Sequence, residues 1–188
     1  MTQLAADLFE RADGALGTDW TAVEENFQIV SGNVHAGSGA QSTSYNNTAT
    51  WPADMYVEVI CGTIETTSDD GIGPAIIVDA QGDGYVVQTN TTETRCYSRT
   101  GSGGTYTKVG SDGASCVSGD VLRLERSGTT ITVKKNGSAI IGPTTNSVHA
   151  AGSAGLWGFN SVGYVQSWAA GNFASEGGSI TLMGQAVM

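Results

Sequence analysis

The sequence is poor in positive charge: 8 Lys and Arg stand against 18 Asp and Glu among 188 residues, a formal net charge of −10. A field of that sign opposes phosphate backbones and argues against nucleic acid as a partner. Proline is scarce, at 3 residues. No stretch approaches the roughly 18 apolar residues of a membrane span. The amino end has neither a basic nor an apolar segment, so no secretory signal is expected and folding is expected in a cytoplasm. Cysteine is limited to Cys61, Cys96 and Cys116, without a C-x-x-C pair. In a reducing compartment this predicts buried thiols, with a Cys96 to Cys116 bridge as the alternative outside the cell. The patterns G-x-S-x-G, H-E-x-x-H, G-x-G-x-x-G and the P-loop are missing, and His35 and His149 have no ligand spacing to Cys or acids. The chemistry those motifs perform therefore has no foothold.

Glycine is abundant, at 27 residues, and a hydrophobic content of 39% suffices for a core. The clearest pattern lies in residues 119–142. Leu122 and Leu124 alternate with charged residues, Ser127-Gly128 supplies a turn, and Ile131 and Val133 alternate with Thr and Lys. Asn136-Gly137 then supplies the positive-φ pair of a type I′ hairpin, so three antiparallel strands are predicted. Residues 27–30 and 33–36, 75–79 and 84–89, and 93–99 and 105–109 read as further hairpins. Residues 55–60, 154–159 and 164–173 read as single strands. Residues 4–11 read as a short helix. Strands at this spacing, separated by Gly, Asn, Asp and Ser, predict an all-β protein, an antiparallel two-sheet sandwich. Residues 8–174 form one domain, with residues 1–7 as an N-terminal extension. Residues 175–188 follow as an apolar arm in which Ile180, Leu182, Met183 and Val187 are the expected assembly contacts.

Several phrases carry a resemblance when taken in order. They are Leu8-Phe9-Glu10-Arg11-Ala12-Asp13-Gly14 leading to Trp20, Trp51-Pro52-Ala53-Asp54-Met55-Tyr56, Gly119-Asp120-Val121-Leu122-Arg123-Leu124-Glu125, Thr132-Val133-Lys134-Lys135-Asn136-Gly137, and Ala154-Gly155-Leu156-Trp157-Gly158-Phe159. Together the chain resembles the concanavalin A-like lectin and laminin-G-like jelly-roll superfamily. The resemblance implies two antiparallel sheets, one concave, on a frame shared by glycan-binding, scaffolding and glycosidase members. Fold alone does not decide among them.

Retaining glycosidases need two carboxylates about 5 to 5.5 Å apart. The nearest candidates, Glu58 and Glu65, are seven positions apart and lack a middle acid, and Asp69-Asp70 sits beside Gly71 in an expected turn. No catalytic residue is assigned and the chain is not expected to be an enzyme. Asp79 and Asp83 share one loop and offer hard oxygen ligands, so calcium is a possible cofactor against the plain reading of an Asp-Gly turn. Asp13 and Asn172 would meet if the first and last strands paired. Glycan binding needs exposed aromatic platforms beside polar groups. Of Tyr85, Tyr97, Tyr106, Trp157, Tyr164 and Trp168, the ligand-binding candidates are Tyr97 and Tyr106, which flank a glycine-rich hairpin, and Trp168. Trp20, Trp51 and Trp157 read as packing.

Taken together, these features lead to the expectation of a non-catalytic phage virion protein, a capsid decoration or fibre or tail subunit. It would be made in the host cytoplasm and joined through its arms to other virion subunits or to itself, with glycans as further partners. The alternative is a carbohydrate-binding module or lectin, and the third reading is a glycoside hydrolase.

Overall fold

The computed structural model describes residues 1–25, 27–36, 41–64, 71–101, 103–159 and 163–173, and every regular element among them is a strand. In chain order these are β1 Thr2–Asp7, β2 Gly14–Ala15, β3 Trp20–Ala22, β4 Gln28–Val30, β5 Asn33–His35, β6 Gln41–Asn46, β7 Met55–Cys61, β8 Gly71–Val78, β9 Gly84–Thr89, β10 Glu93–Thr100, β11 Thr105–Lys108, β12 Gly113–Ala114, β13 Val121–Ser127, β14 Thr130–Lys135, β15 Ser138–Thr145, β16 Ser153–Phe159 and β17 Val165–Asn172. A nine-stranded sheet runs β15-β14-β13-β7-β17-β5-β4-β2, with β1 added on β17. An eight-stranded sheet runs β11-β10-β9-β8-β16-β6-β3, with β12 added on β10. The two form the expected antiparallel sandwich.

Period-two alternation builds the core. Val57, Val59, Leu122, Leu124, Ile131, Val133 and Trp168 point inward from one sheet and meet Ile72, Ile76, Tyr85, Val87, Cys96 and Leu156 from the other. Each such aliphatic side chain contributes about 1.5–3 kcal/mol by leaving water. β8 departs from strict alternation. Its register against β16 slips between the pairs Ser153↔Val78 and Gly155↔Ala75, and Ile77 has φ 58°. A β-branched residue rarely adopts that backbone. The bulge lets both Ile76 and Ile77 enter the core and moves Val78 to the opposite face, beside Ala75, Val86 and Trp157.

The β13–β14–β15 meander is as the sequence predicts, and Asn136 and Gly137 take φ 50° and 83°. Its first turn is shifted by one residue. Ser127 pairs with Thr130, so Gly128-Thr129 forms the turn and Gly128, at φ 59°, occupies the positive-φ position. The helix expected over residues 4–11 is not formed. Thr2–Asp7 is a strand paired with β17 from Thr2↔Asn172 to Asp7↔Trp168. A helix this short is marginal on its own, and the edge of β17 offers backbone partners to every residue of the segment but Leu4, where the register shifts. Asp7 ends the strand by accepting hydrogen bonds from Phe9 N at 2.8 Å, Arg11 Nη1 at 2.7 Å and Trp20 Nε1 at 2.9 Å. Residues 1–7 thus include a strand of the main sheet. Ile180, Leu182, Met183 and Val187 lie outside the described residues.

Candidate functional site

The eight-stranded sheet turns one face to the core and leaves the other outside. On β10, Thr94, Cys96 and Ser98 are buried toward the core while Arg95 and Tyr97 alternate with them. On β16, Ala154 and Leu156 face the core, which puts Trp157 and Phe159 on the outer side. The residues of β8 paired with these two rings are glycines, in the pairs Trp157↔Gly73 and Phe159↔Gly71. A Cβ on Gly73 would lie 2.3 Å from the Val87 carbonyl oxygen, and one on Gly71 would lie 2.8 Å from Gln88 Cγ. Close strand approach therefore demands glycine at both positions, and the bare backbone leaves room beside the rings. A cavity of about 250 Å³ results, lined by Gln41, Gln88, Arg95, Tyr97, Tyr106, Trp157 and Phe159.

Three rings form a continuous edge-to-face run. Tyr97 and Tyr106 have centroids 5.8 Å apart at 80°, and Tyr106 and Trp157 5.8 Å apart at 65°, a favoured aromatic geometry. Tyr106 is fixed at its hydroxyl, which accepts from Trp157 Nε1 at 3.1 Å and from Arg99 Nε at 3.2 Å. Arg99 is fully buried behind that wall. It forms an ion pair with Glu24, lies 3.9 Å from Asp83, and donates to the Gln81 carbonyl at 3.3 Å. Burial pushes the Tyr106 phenol above its ordinary value, against the opposing pull of its bonds to Trp157 and Arg99, so the ring stays neutral. Arg95 forms an ion pair with Glu93. Gln41 Oε1 is buried with no hydrogen-bond partner among the described residues. The cavity therefore combines stacking surfaces, side-chain amides and a compensated cation, and its described lining holds no carboxylate.

Tyr97 and Tyr106 come together here as two walls of one pocket. Trp168 does not join them. It is 1% exposed on the core face of β17, packs 4.8 Å from Trp20 and 6.0 Å from Trp51, and donates to the Gly155 carbonyl at 3.1 Å. Trp157, read from the sequence as packing, is 3% exposed and packs with Ala75, Val78 and Val86, and it also lines the pocket. Tyr85 faces the core and bonds Asn146 Oδ1 at 2.8 Å. Gln41, Gln88 and Arg95 carry no motif that would single them out.

The acidic candidates lie elsewhere. Asp79 Oδ1 accepts the backbone N–H of Gln81 at 2.8 Å and of Asp83 at 3.0 Å, closing its own loop, and Asp83 faces Arg99. No group of three or more His, Cys, Asp or Glu suited to a metal occurs among the described residues. Asp13 and Asn172 do not meet: Asp13 accepts from Ser31 N at 2.8 Å, and Asn172 lies opposite Thr2. Glu58 sits on the outer face of the nine-stranded sheet, 3.7 Å from Arg123, and burial raises its carboxyl above the ordinary range. Glu65, Asp69 and Asp70 lie outside the described residues.

All three cysteines are free and buried. The thiol neighbour of Cys116 is Cys61, with which it shares a hydrogen bond, and not Cys96. Bonds from Gly119 N to Cys61 O at 2.8 Å and from Cys61 N to Asp120 O at 2.9 Å hold the end of β7 against the 116–120 segment. Cys96 is isolated in the core, where burial pushes its thiol up to about 12.

No family model and no curated protein matches the chain. Solved structures do. Carbohydrate binding module CBM66 from Bacillus subtilis aligns at 17% identity and TM-score 0.61, over 82% of this chain and 93% of that one. A LamA variant from Zobellia galactanivorans, in complex with laminaritriose and laminaritetraose, aligns at 10% identity and TM-score 0.61, over 90% and 98%. The exoplasmic/lumenal domain of VIP36, in its Ca²⁺- and Man-bound form, aligns at 12% identity and TM-score 0.55, over 85% and 84%. At such identities the likeness shows the fold alone. That fold is an antiparallel two-sheet β-sandwich, and among these solved structures it carries a transglycosylase as well as a binding module.

Proposed function

We propose that this chain is a carbohydrate-binding module or lectin-like domain that holds a glycan on the outer face of its eight-stranded sheet and does not cleave it. The observation that carries this reading is the run Tyr97–Tyr106–Trp157 beside Gln41 and Gln88 in one cavity. Sugar rings place their apolar faces on aromatic rings and their hydroxyls against amides. The absence of a carboxylate from the described lining favours binding over hydrolysis, which needs a cooperating pair of acids. The fold shared with a carbohydrate binding module and a Man-bound lumenal domain supports the same reading.

Affinity electrophoresis through gels holding single polysaccharides tests it. Retardation by at least one polysaccharide is expected, with retardation lost in Tyr97→Ala and reduced in Gln41→Ala while folding is retained. Retardation that survives both substitutions would place binding elsewhere, and release of reducing ends from the retained polysaccharide would make the protein an enzyme. Calcium held by the Asp79–Asp83 loop would act behind the Arg99 wall and outside the pocket, so EDTA is expected to leave retardation unchanged. The virion role expected from the sequence depends on residues 175–188, outside the described residues. A virion subunit displaying this module and a free module share one pocket, and mass spectrometry of purified virions separates the two.

A further inference from the structure

The pocket carries more information than its rings. Arg95 is the one cationic side chain in the described lining, and Glu93 meets its charge. Arg99, behind the wall, is met by Glu24. Neither guanidinium is therefore an open anchor for a carboxylate or a sulfate ester. The net charge of −10 repels such groups further. A ligand ammonium finds no carboxylate in the described lining either. Two neutral groups are left with spare capacity. The Tyr106 hydroxyl accepts two hydrogen bonds, from Trp157 and Arg99, which fills its lone pairs and leaves its own proton to donate. Gln41 Oε1 is a buried acceptor without a donor among the described residues, and such atoms in native proteins call for an explanation. One spare donor and one spare acceptor match a hydroxyl group, which both accepts and donates.

We infer that the pocket selects an uncharged saccharide, with Tyr106 and Gln41 orienting it through its hydroxyl groups and Glu93 excluding acidic sugars by occupying Arg95. The inference rests on the glycan-binding reading above. Titration calorimetry with laminaritetraose, mannotriose and xyloglucan oligosaccharides as neutral probes, and with oligogalacturonate as the acidic probe, tests it. At least one neutral probe is expected to bind the native protein, and oligogalacturonate to go undetected. Glu93→Gln removes the carboxylate that neutralises Arg95 and leaves the Tyr97 hydroxyl beside it. It is expected to leave neutral affinity within about twofold and to bring oligogalacturonate binding into the measurable range, a gain of about tenfold or more over the native detection limit, the scale of one hydrogen bond to a charged group.

Gln41→Ala and Tyr106→Phe are each expected to weaken the neutral probe about threefold to tenfold. Gln41→Ala decides the matter if Tyr106→Phe perturbs folding, because the Gln41 oxygen has no partner to lose among the described residues. Native protein that binds oligogalacturonate in a salt-sensitive way would overturn the charge selection while leaving glycan binding intact. Unchanged neutral affinity in Gln41→Ala would overturn the orienting role. Failure of every probe, neutral and acidic, would remove the glycan-binding reading and this inference with it.

Discussion

At the scale of single residues, the direction a side chain faces decides its role, and the aromatic residues show it. Trp168→Ala is expected to cost about 3–5 kcal/mol in chemical denaturation, because it empties a site walled by Trp20 and Trp51. Tyr97→Ala, at the pocket, is expected to leave the denaturation midpoint nearly unchanged. Tyr97 and Tyr106 were legible in the sequence because they flank a glycine-rich hairpin. Trp157 could be read as packing, but β16 is apolar on both faces, so alternation has no contrast from which to tell that it also borders the outer pocket. Trp168 was hidden because the register of β17 slips between Val165 and Ser167, and that irregularity resets which side chains face inward. A second prediction concerns pH. Burial holds His149 below its ordinary value of 6.5, despite the opposing pull of Asp83 and Asp79, and its Nε2 lies 3.0 Å from Ser98 Oγ. The folded protein keeps the ring neutral, so as pH falls below 6.5 the unfolded chain takes up the proton first. Stability is full above that pH and declines below it. Denaturation midpoints measured from about pH 7.5 to about pH 5 should show this slope, and His149→Gln should flatten it.

At the scale of elements, hairpins and edges behave differently. Gly137→Ala, at φ 83° in the β14–β15 turn, is expected to cost about 1–2 kcal/mol through backbone strain, read as a lower urea midpoint. That turn could be read from sequence because Asn-Gly has a backbone requirement of its own. β1 could not. Its residues, Thr2 to Asp7, have no strong alternation, and only the edge of β17, distant in sequence, makes them a strand. The bulge at Ile77 was hidden for a related reason: an apolar run gives no sign of where the side-chain phase slips. β1 also has a stabilising role to be measured. Deleting residues 1–7 removes the β17 pairing and the Asp7 carboxylate that ties Trp20, Phe9 and Arg11. The truncated protein is expected to have a lower melting temperature and to self-associate through the bared edge. An unchanged melting temperature would mean that β1 adds nothing to the sheet.

At the scale of the whole molecule, the sandwich separates stability from recognition across its thickness. Opposite the pocket, on the outer face of the nine-stranded sheet, Arg123 lies 3.9 Å above the ring of Tyr56 and 3.7 Å from Glu58. Its Nε is 2.9 Å from Glu125, and Lys134 meets the same carboxylate at 2.8 Å. Removing the guanidinium leaves Glu58 and Glu125 half-compensated in a poorly solvated patch. Arg123→Ala is therefore expected to destabilise the fold by about 3 kcal/mol. Two sheets about 10 Å apart stand between this cluster and the pocket, and sites that far apart with no shared partner add within about 0.5 kcal/mol. Glycan affinity in Arg123→Ala should accordingly equal that of the native protein wherever the variant is folded. Tyr97→Ala should show the reverse, with lost affinity and retained stability. The double variant then closes the cycle. Stability losses that sum, with an affinity equal to that of Tyr97→Ala alone, mean that the core insulates the two faces from each other. A coupling above about 1 kcal/mol in either quantity would mean that the charged face sets the curvature of the sheet on which the rings are mounted.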